Sequence, residues 1–318
     1  MFESLWVVAQ QVGILFALMA VGFVCNKTKL LSEQSVKGLV ALLVQIVTPC
    51  VIVHAFQRTF RPELLAGLLW AFGAAFFTHL VGMAVSLLCV RAHEPRRRSV
   101  LRCAVVFSNA GFMGIPLEHA LLGDAGVFFG AAYVAVFNVM YWSWGLVQMC
   151  GSMKDMAVRT LFVNPGTIGI ALGLPLFFSS CLLPPCLGEP VKMLADLNTP
   201  LAMLVIGYYL ASADFRPVLT CAGAYVAAFL RLCVLPVLVL GAWYGLRMCG
   251  VAFDATMAVA IVTAAAAPVA ALTSMLAVRY GRDVPVSVGL VSGTTLLSIL
   301  TIPPVVGLAM WLLGVKPV

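Results

Sequence analysis

The stretch FSNAGFMGIPLEHA, residues 107–120, gathers polar and helix-weakening residues inside an apolar segment. Asn109 both donates and accepts hydrogen bonds, and Ser108 does so through one hydroxyl. Gly111, Gly114 and Pro116 follow closely; glycine loosens a helix and proline removes a backbone donor. A second stretch, TAAAAPVAALTS at 263–274, centres on Pro268, with Thr263 before it and Thr273 and Ser274 after it. Backbone groups freed by such breaks cost several kcal/mol each when they face hydrocarbon. They persist where the broken helix is buried in protein or lines a wet cavity. The chemistry on offer is hydrogen bonding to a bound polar group. Half-helix N-termini, with free N–H groups and positive partial charge, suit an anion. A single proline in a membrane helix is ordinarily a kink, whereas two breaks at matching places point to a site.

Two ionisable residues lie deep in apolar segments, His79 and Arg231. Charged groups at such depth are costly and by default suggest function. Arg231 has two readings, a counter-charge for an anionic ligand or a partner for backbone carbonyls at a helix break. His79 likewise reads either as a titrating group that couples protons or as a hydrogen-bonded neutral core histidine.

The elements that must position these residues are membrane spans. The chain is 63% hydrophobic and 10% charged, with mean hydropathy +1.07, outside the range of soluble domains. About 20 apolar residues cross the hydrocarbon core. Ten apolar runs meet that need, at 5–25, 36–56, 64–90, 99–121, 126–150, 164–183, 189–211, 217–247, 255–279 and 286–314. The expectation is an all-α polytopic membrane protein with short loops. The opening MFESLWVVAQQ has Glu3 and no basic region, so 5–25 is read as a retained span. With the N-terminus outside, 13 Lys and Arg fall in inner loops and 5 outside, RAHEPRRRSVLR anchoring the bias. Ten spans would then leave both termini extracytoplasmic, in a cell inner (plasma) membrane. The net charge of +7 is read as loop charge beside lipid, with no nucleic-acid partner.

The chain also resembles itself. VGILFAL at 12–18 matches IGIALGL at 168–174, VTPCVIV at 47–53 matches NTPLAML at 198–204, and Pro116 matches Pro268. The offsets of 156, 151 and 152 nearly agree, and His79 and Arg231 also stand 152 apart. Two five-span halves, 1–157 and 158–318, enter the membrane from opposite sides because five is odd. That is the inverted-repeat plan of secondary carriers.

Other classes find less support. The ten cysteines are scattered without metal-ligand spacing, and buried packing is their default. Cys181 and Cys186 flank LLPP and are the one candidate disulfide. No metal, cofactor or enzymatic acid–base cluster is expected. No span core holds a pair of carboxylates, and Glu118 and His119 are placed near the outer end of the fourth span. Such a chain is poorly equipped for cation exchange. A charge crossing 100 mV gains about 2.3 kcal/mol, roughly a fiftyfold gradient, which suffices to drive an anion.

SNAGFMGIPL resembles the Asn-x-Gly-Phe-x-Gly-x-Pro-Leu signature of the auxin efflux carrier family, which includes plant auxin exporters and bacterial malonate or malate permeases. NPGTIGIALGL at 164–174, LNTPLAMLVIGYYLA at 197–211, RLCVLPVLVL at 231–240, AAAAPVAALTSMLAVRYG at 264–281 and TTLLSILTIPP at 294–304 are similar to its sixth to tenth helices. The resemblance implies ten helices in two inverted repeats, akin to bile-acid symporters. Spans 1, 2, 6 and 7 would form a scaffold and spans 3–5 and 8–10 a moving core, with helices four and nine interrupted and crossing. It further implies Asn109 at the substrate carboxylate, Pro116 and Pro268 shaping the crossing, and a homodimer through the scaffold. The short link SMKDMAVRTLFVNP departs from the long central loop of plant exporters and favours a small mono- or dicarboxylate over auxin. The expected function is an alternating-access carrier for a small organic anion. A sodium- or proton-coupled symporter of the bile-acid type is the rival, and a channel or a membrane enzyme ranks lower.

Overall fold

Apolar runs in hydrocarbon must satisfy their own backbone groups, and helices do so within each run. The computed structural model describes residues 2–151 and 165–317. The expected boundary between halves at 157/158 and the link at 152–164, with Lys154 and Arg159, lie outside the described residues. In chain order the helices are α1 (Phe2–Lys27), α2 (Glu33–Ala55), α3 (Pro62–Cys89), α4 (Pro95–Val106), α5 (Ala110–Cys150) and α6 (Pro165–Phe178). Then follow α7 (Pro185–Ala211), α8 (Arg216–Leu219), α9 (Ala222–Met248), α10 (Ala255–Ala266), α11 (Leu272–Arg279) and α12 (Val284–Leu313). Seven of these, α1, α2, α3, α5, α7, α9 and α12, are long and apolar enough to cross a membrane. Among the described residues there is no strand, only one isolated two-residue bridge.

Local sequence explains the irregularities. The 41 residues of α5 would extend about 60 Å at 1.5 Å per residue, twice the hydrocarbon thickness. The helix instead bends at Gly123, whose φ of 62° is a conformation glycine adopts freely. Three of the four wide helical turns among the described residues, Leu43–Val47, Ala110–Gly114 and Leu230–Val234, each precede a proline, Pro49, Pro116 or Pro236; the fourth, Tyr141–Gly145, does not. Proline withholds one N–H and crowds the carbonyl four residues back, so the preceding turn widens. In α2 the Thr48 hydroxyl recovers the Leu43 carbonyl at 2.9 Å. Asp254 and Asp283 cap α10 and α12, accepting from Met257 N–H (3.0 Å) and Val286 N–H (3.3 Å). Asp283 also accepts from Arg97 Nε at 2.8 Å, which raises the Arg97 guanidinium above its ordinary value.

Small residues bring the helices together, as expected where lipid leaves little hydrophobic drive between them. Gly22 of α1 lies on the Leu204 backbone of α7, and Gly207 of α7 lies on the Met19 backbone; a β-carbon at either would overlap those atoms. Gly169 and Gly173 of α6 pack on Ile52 of α2 and on Phe56 just past its end. The alanine-rich α10 is the centre of the molecule, with residues 257–267 at most 1% exposed. Large apolar side chains such as Leu69, Phe77 and Leu300 face outward, as on a lipid-contacting surface.

Two expectations change. The apolar run 217–247 is interrupted at Thr220 and Cys221 between α8 and α9. Cys181 and Cys186 are both exposed free thiols, so the disulfide is absent.

Candidate functional site

The helix of the fourth apolar run stops at Val106 and resumes at Ala110; that of the ninth stops at Ala266 and resumes at Leu272. The second break follows from Pro268, which forces Ala267 into an extended conformation (φ −61°, ψ 147°). The first break is narrower than the sequence suggests. It occupies residues 107–109, and Pro116 lies beyond it, inside the resumed helix just after the widened turn Ala110–Gly114.

The two breaks pair with one another. Ser108 and Val269 form an isolated antiparallel bridge. The Asn109 N–H donates to the Pro268 carbonyl at 2.7 Å, and the Ala270 N–H to the Phe107 carbonyl at 2.9 Å. Pro268 has no N–H to return to Asn109, so the Asn109 carbonyl accepts from Met113 and Gly114 at 3.0 and 3.1 Å. Val269 N–H donates to Thr294 Oγ1 of α12 at 3.1 Å. Buried backbone groups at the crossing are thereby provided with partners.

Arg231, fully buried, serves the ends where the helices stop. Its Nη1 donates to the carbonyls of Val105 and Val106, both at 3.1 Å, and its Nη2 to that of Ala265. These carbonyls close α4 and α10, where a cation complements the negative end of the helix dipole. Of the two readings of Arg231, the backbone one describes this geometry. The Tyr133 hydroxyl lies beside the same guanidinium and 3.4 Å from Ser108 Oγ. His79 packs against Tyr133 with ring centroids 5.1 Å apart and the planes tilted by 43°, and its Nδ1 pairs with the Ala75 carbonyl at 2.7 Å. That is the core-histidine arrangement.

The other ends of the break are open. Gly111 and Phe112, and Ala271 and Leu272, begin the resumed helices and are partly exposed, while the crossing itself is buried. A β-carbon on Gly111 would meet nothing within 4 Å. The first amides of a helix have no acceptor within it; Met113 and Gly114 donate to the Asn109 carbonyl and Thr273 and Ser274 to those of Ala270 and Ala271, which leaves the amides up to Phe112 and up to Leu272. The Asn109 carboxamide, 6% exposed, has no hydrogen-bond partner among the described residues. A pocket of about 70 Å³ lies between α2, α5 and α7, lined by Ile115 and by polar residues including His54, His119, Asp124, Asn198 and Thr199. A larger apolar groove of about 710 Å³ between α3 and α9, walled by Trp70 and Trp243, includes no residue of the crossing.

Ser108, Asn109, Pro268 and Arg231 are thus gathered at one place. Thr263 is not free to join them, because its hydroxyl donates to the Val259 carbonyl at 2.8 Å. Ser274 pairs with Ser287 at 3.1 Å. Sequence reasoning missed Thr294 and Tyr133; the hydroxyl-rich SGTTLLS was the available signal for Thr294. Glu118 lies past the break and five residues before the Gly123 bend, near the end of that arm as the sequence suggests, and it is 1% exposed, inside the helix packing.

Residues 7–159 and 149–306 match the family described as membrane transport protein. A protein of Methanothermobacter thermautotrophicus described as an uncharacterized transporter is 24% identical over 299 residues, covering 90% of this chain and 93% of that protein.

Proposed function

The chain belongs to the membrane transport protein family, that of the auxin efflux carriers, and from that premise we propose that it carries a small organic anion by alternating access. One observation carries the reading: two interrupted helices pair at their breaks while the opening turns of both resumed helices stay accessible. In this reading three kinds of donor serve the anion, the amides around Gly111, those around Leu272 and the Asn109 carboxamide, while the fully buried Ser108 hydroxyl donates to Tyr133 behind them. Such donors hold a carboxylate without a positive side chain. In this reading Asn109 and Gly111 meet the anion, while Pro116 and Pro268 shape the crossing. Thr263 and Arg231 support it from behind, and His79 packs its floor.

The wider architecture we infer is ten crossings as inverted repeats, 1–157 and 158–318. Helices α1, α2, α6 and α7 would be the scaffold against which the remainder moves. The close glycine contacts between α1 and α7 and between α6 and α2 support its holding together as the fixed part. Both termini would face outward from the inner membrane, and a homodimer would form through the scaffold. The compact chain favours malonate- or malate-sized acids.

The test is uptake of radiolabelled malonate, malate and indole-acetate into liposomes holding the purified protein, with and without a sodium gradient. Saturable uptake that needs no sodium is the expected result. Strict sodium dependence would replace the proposal with a sodium symporter, and flux at channel rates would overturn the carrier reading.

A further inference from the structure

A carboxyl group lies where the packing has no visible use for it. Glu118 stands on the first arm of α5, 1% exposed, and neither carboxyl oxygen has a hydrogen-bond partner. Its place is shaped by glycine. A β-carbon on Gly130, from the returning arm of α5, would overlap Glu118 Oε2. One on Gly126 would fall 2.7 Å from the Glu118 carbonyl oxygen, and one on Gly114 would lie 3.7 Å from Oε1 and 3.6 Å from Ala264 of α10. A purely packing role would be served better by an apolar side chain, since an unpaired buried polar group costs stability.

No cation pairs with the Glu118 carboxyl among the described residues; Arg231 is separated from it by the Tyr133 side chain, which both influence. The α10 helix and α6 have no titratable side chain. On α5 itself, Tyr133 is the titratable group the carboxyl influences; His119 and Asp124 pair with each other at 3.6 Å near the surface. His79 of α3 faces Tyr133. Arg58, before α3, lies over the Phe128 ring, His54 of α2 lines the polar pocket, and Tyr208 of α7 packs with Val36 and Val205. Nor does Glu118 belong to a cluster of metal-ligating side chains: no three His, Cys, Asp or Glu come together among the described residues.

We propose that Glu118 is a proton site that couples movement of the anion to movement of a proton in the same direction. This rests on the anion-carrier reading above. Buried as here, the group is accommodated as the neutral acid, because an unpaired carboxylate is far costlier to bury than its protonated form. Nine residues separate Glu118 from Asn109, roughly 13 Å along a helix. Across that distance a carboxylate at 118 would weaken binding of a carboxylate at the crossing by about tenfold at an effective dielectric of 20. Proton and anion therefore favour each other's binding. The proton enters as Glu118 opens to one side, forming the acid, and leaves to water on the other, regenerating the carboxylate.

The experiment uses malonate and proteoliposomes with the membrane potential clamped to zero. Wild-type protein should accumulate malonate about tenfold on the alkaline side of a one-unit pH gradient, one proton per anion. Glu118→Gln should exchange malonate but respond to no pH gradient. Accumulation by Glu118→Gln equal to wild type, or wild-type transport indifferent to the gradient, would overturn the proposal. A second measurement needs no transport: the infrared carboxylic-acid band of purified wild type minus Glu118→Gln, followed against pH. A difference band that titrates supports the site even if malonate does not move, which would sink the carrier reading alone. No such band at any pH overturns the site.

Discussion

Replacing Arg231 tests whether the guanidinium holds the two helix ends or the transported anion. Arg231→Ala leaves the carbonyls of Val105, Val106 and Ala265 without their donor. Interhelical side-chain hydrogen bonds in membranes average about 0.6 kcal/mol each, giving a lower limit near 2 kcal/mol for three. Bonds to charged groups in soluble proteins are worth about 1.5–3 kcal/mol, and the low end of that range gives a second, higher figure near 5 kcal/mol. The full burial of Arg231 places the true cost toward the higher figure, against a total stability of about 5–15 kcal/mol. At about 2 °C per kcal/mol, the variant should melt roughly 4–10 °C below wild type in detergent and give less folded protein. Arg231→Lys keeps the charge but not the fork, so it should recover about half of the loss. Malonate should still raise the melting temperature of whatever folds. A variant that melts within a degree of wild type yet no longer responds to malonate would refute the structural role and make Arg231 an anion ligand.

Asn109→Ala should abolish malonate transport while changing the melting temperature by less than about 2 °C, because the carboxamide has no partner whose loss would cost stability. Full uptake by that variant would remove Asn109 from the site. Thr294→Val deprives the Val269 N–H of its acceptor and should cost about 1–3 kcal/mol, read as a lower melting temperature; Thr294→Ser should restore it.

The helical character of the chain and the place of the second break were legible in its residues, because hydropathy and Pro268 act locally. Ala267 must be extended before Pro268, whatever surrounds it. The first break was displaced in the reading because Gly111, Gly114 and Pro116 look like its cause. In fact Pro116 is tolerated inside the resumed helix, after a widened turn, and the chain opens three residues earlier, at Phe107–Asn109. Which segment Asn109 would pair with depended on contacts 159 positions away at Pro268, beyond any local pattern. Arg231 left two readings open because charge and depth are the same for both, and only the carbonyl positions separate them. The position of Glu118 near a span end was legible from the run 99–121, but its burial was not, because that depends on the returning arm of α5. The glycines at 114, 126 and 130, spaced by multiples of four, were the overlooked sign that this face was buried against something close.

Pro268 also limits how firmly the molecule is clasped at its waist. An ordinary residue there would supply an N–H opposite the Asn109 carbonyl and let the pairing lengthen, rung by rung, into a latch. The imino ring ends it after two hydrogen bonds, each worth about 1 kcal/mol, so the segments are joined as a pivot is joined, aligned without being sealed.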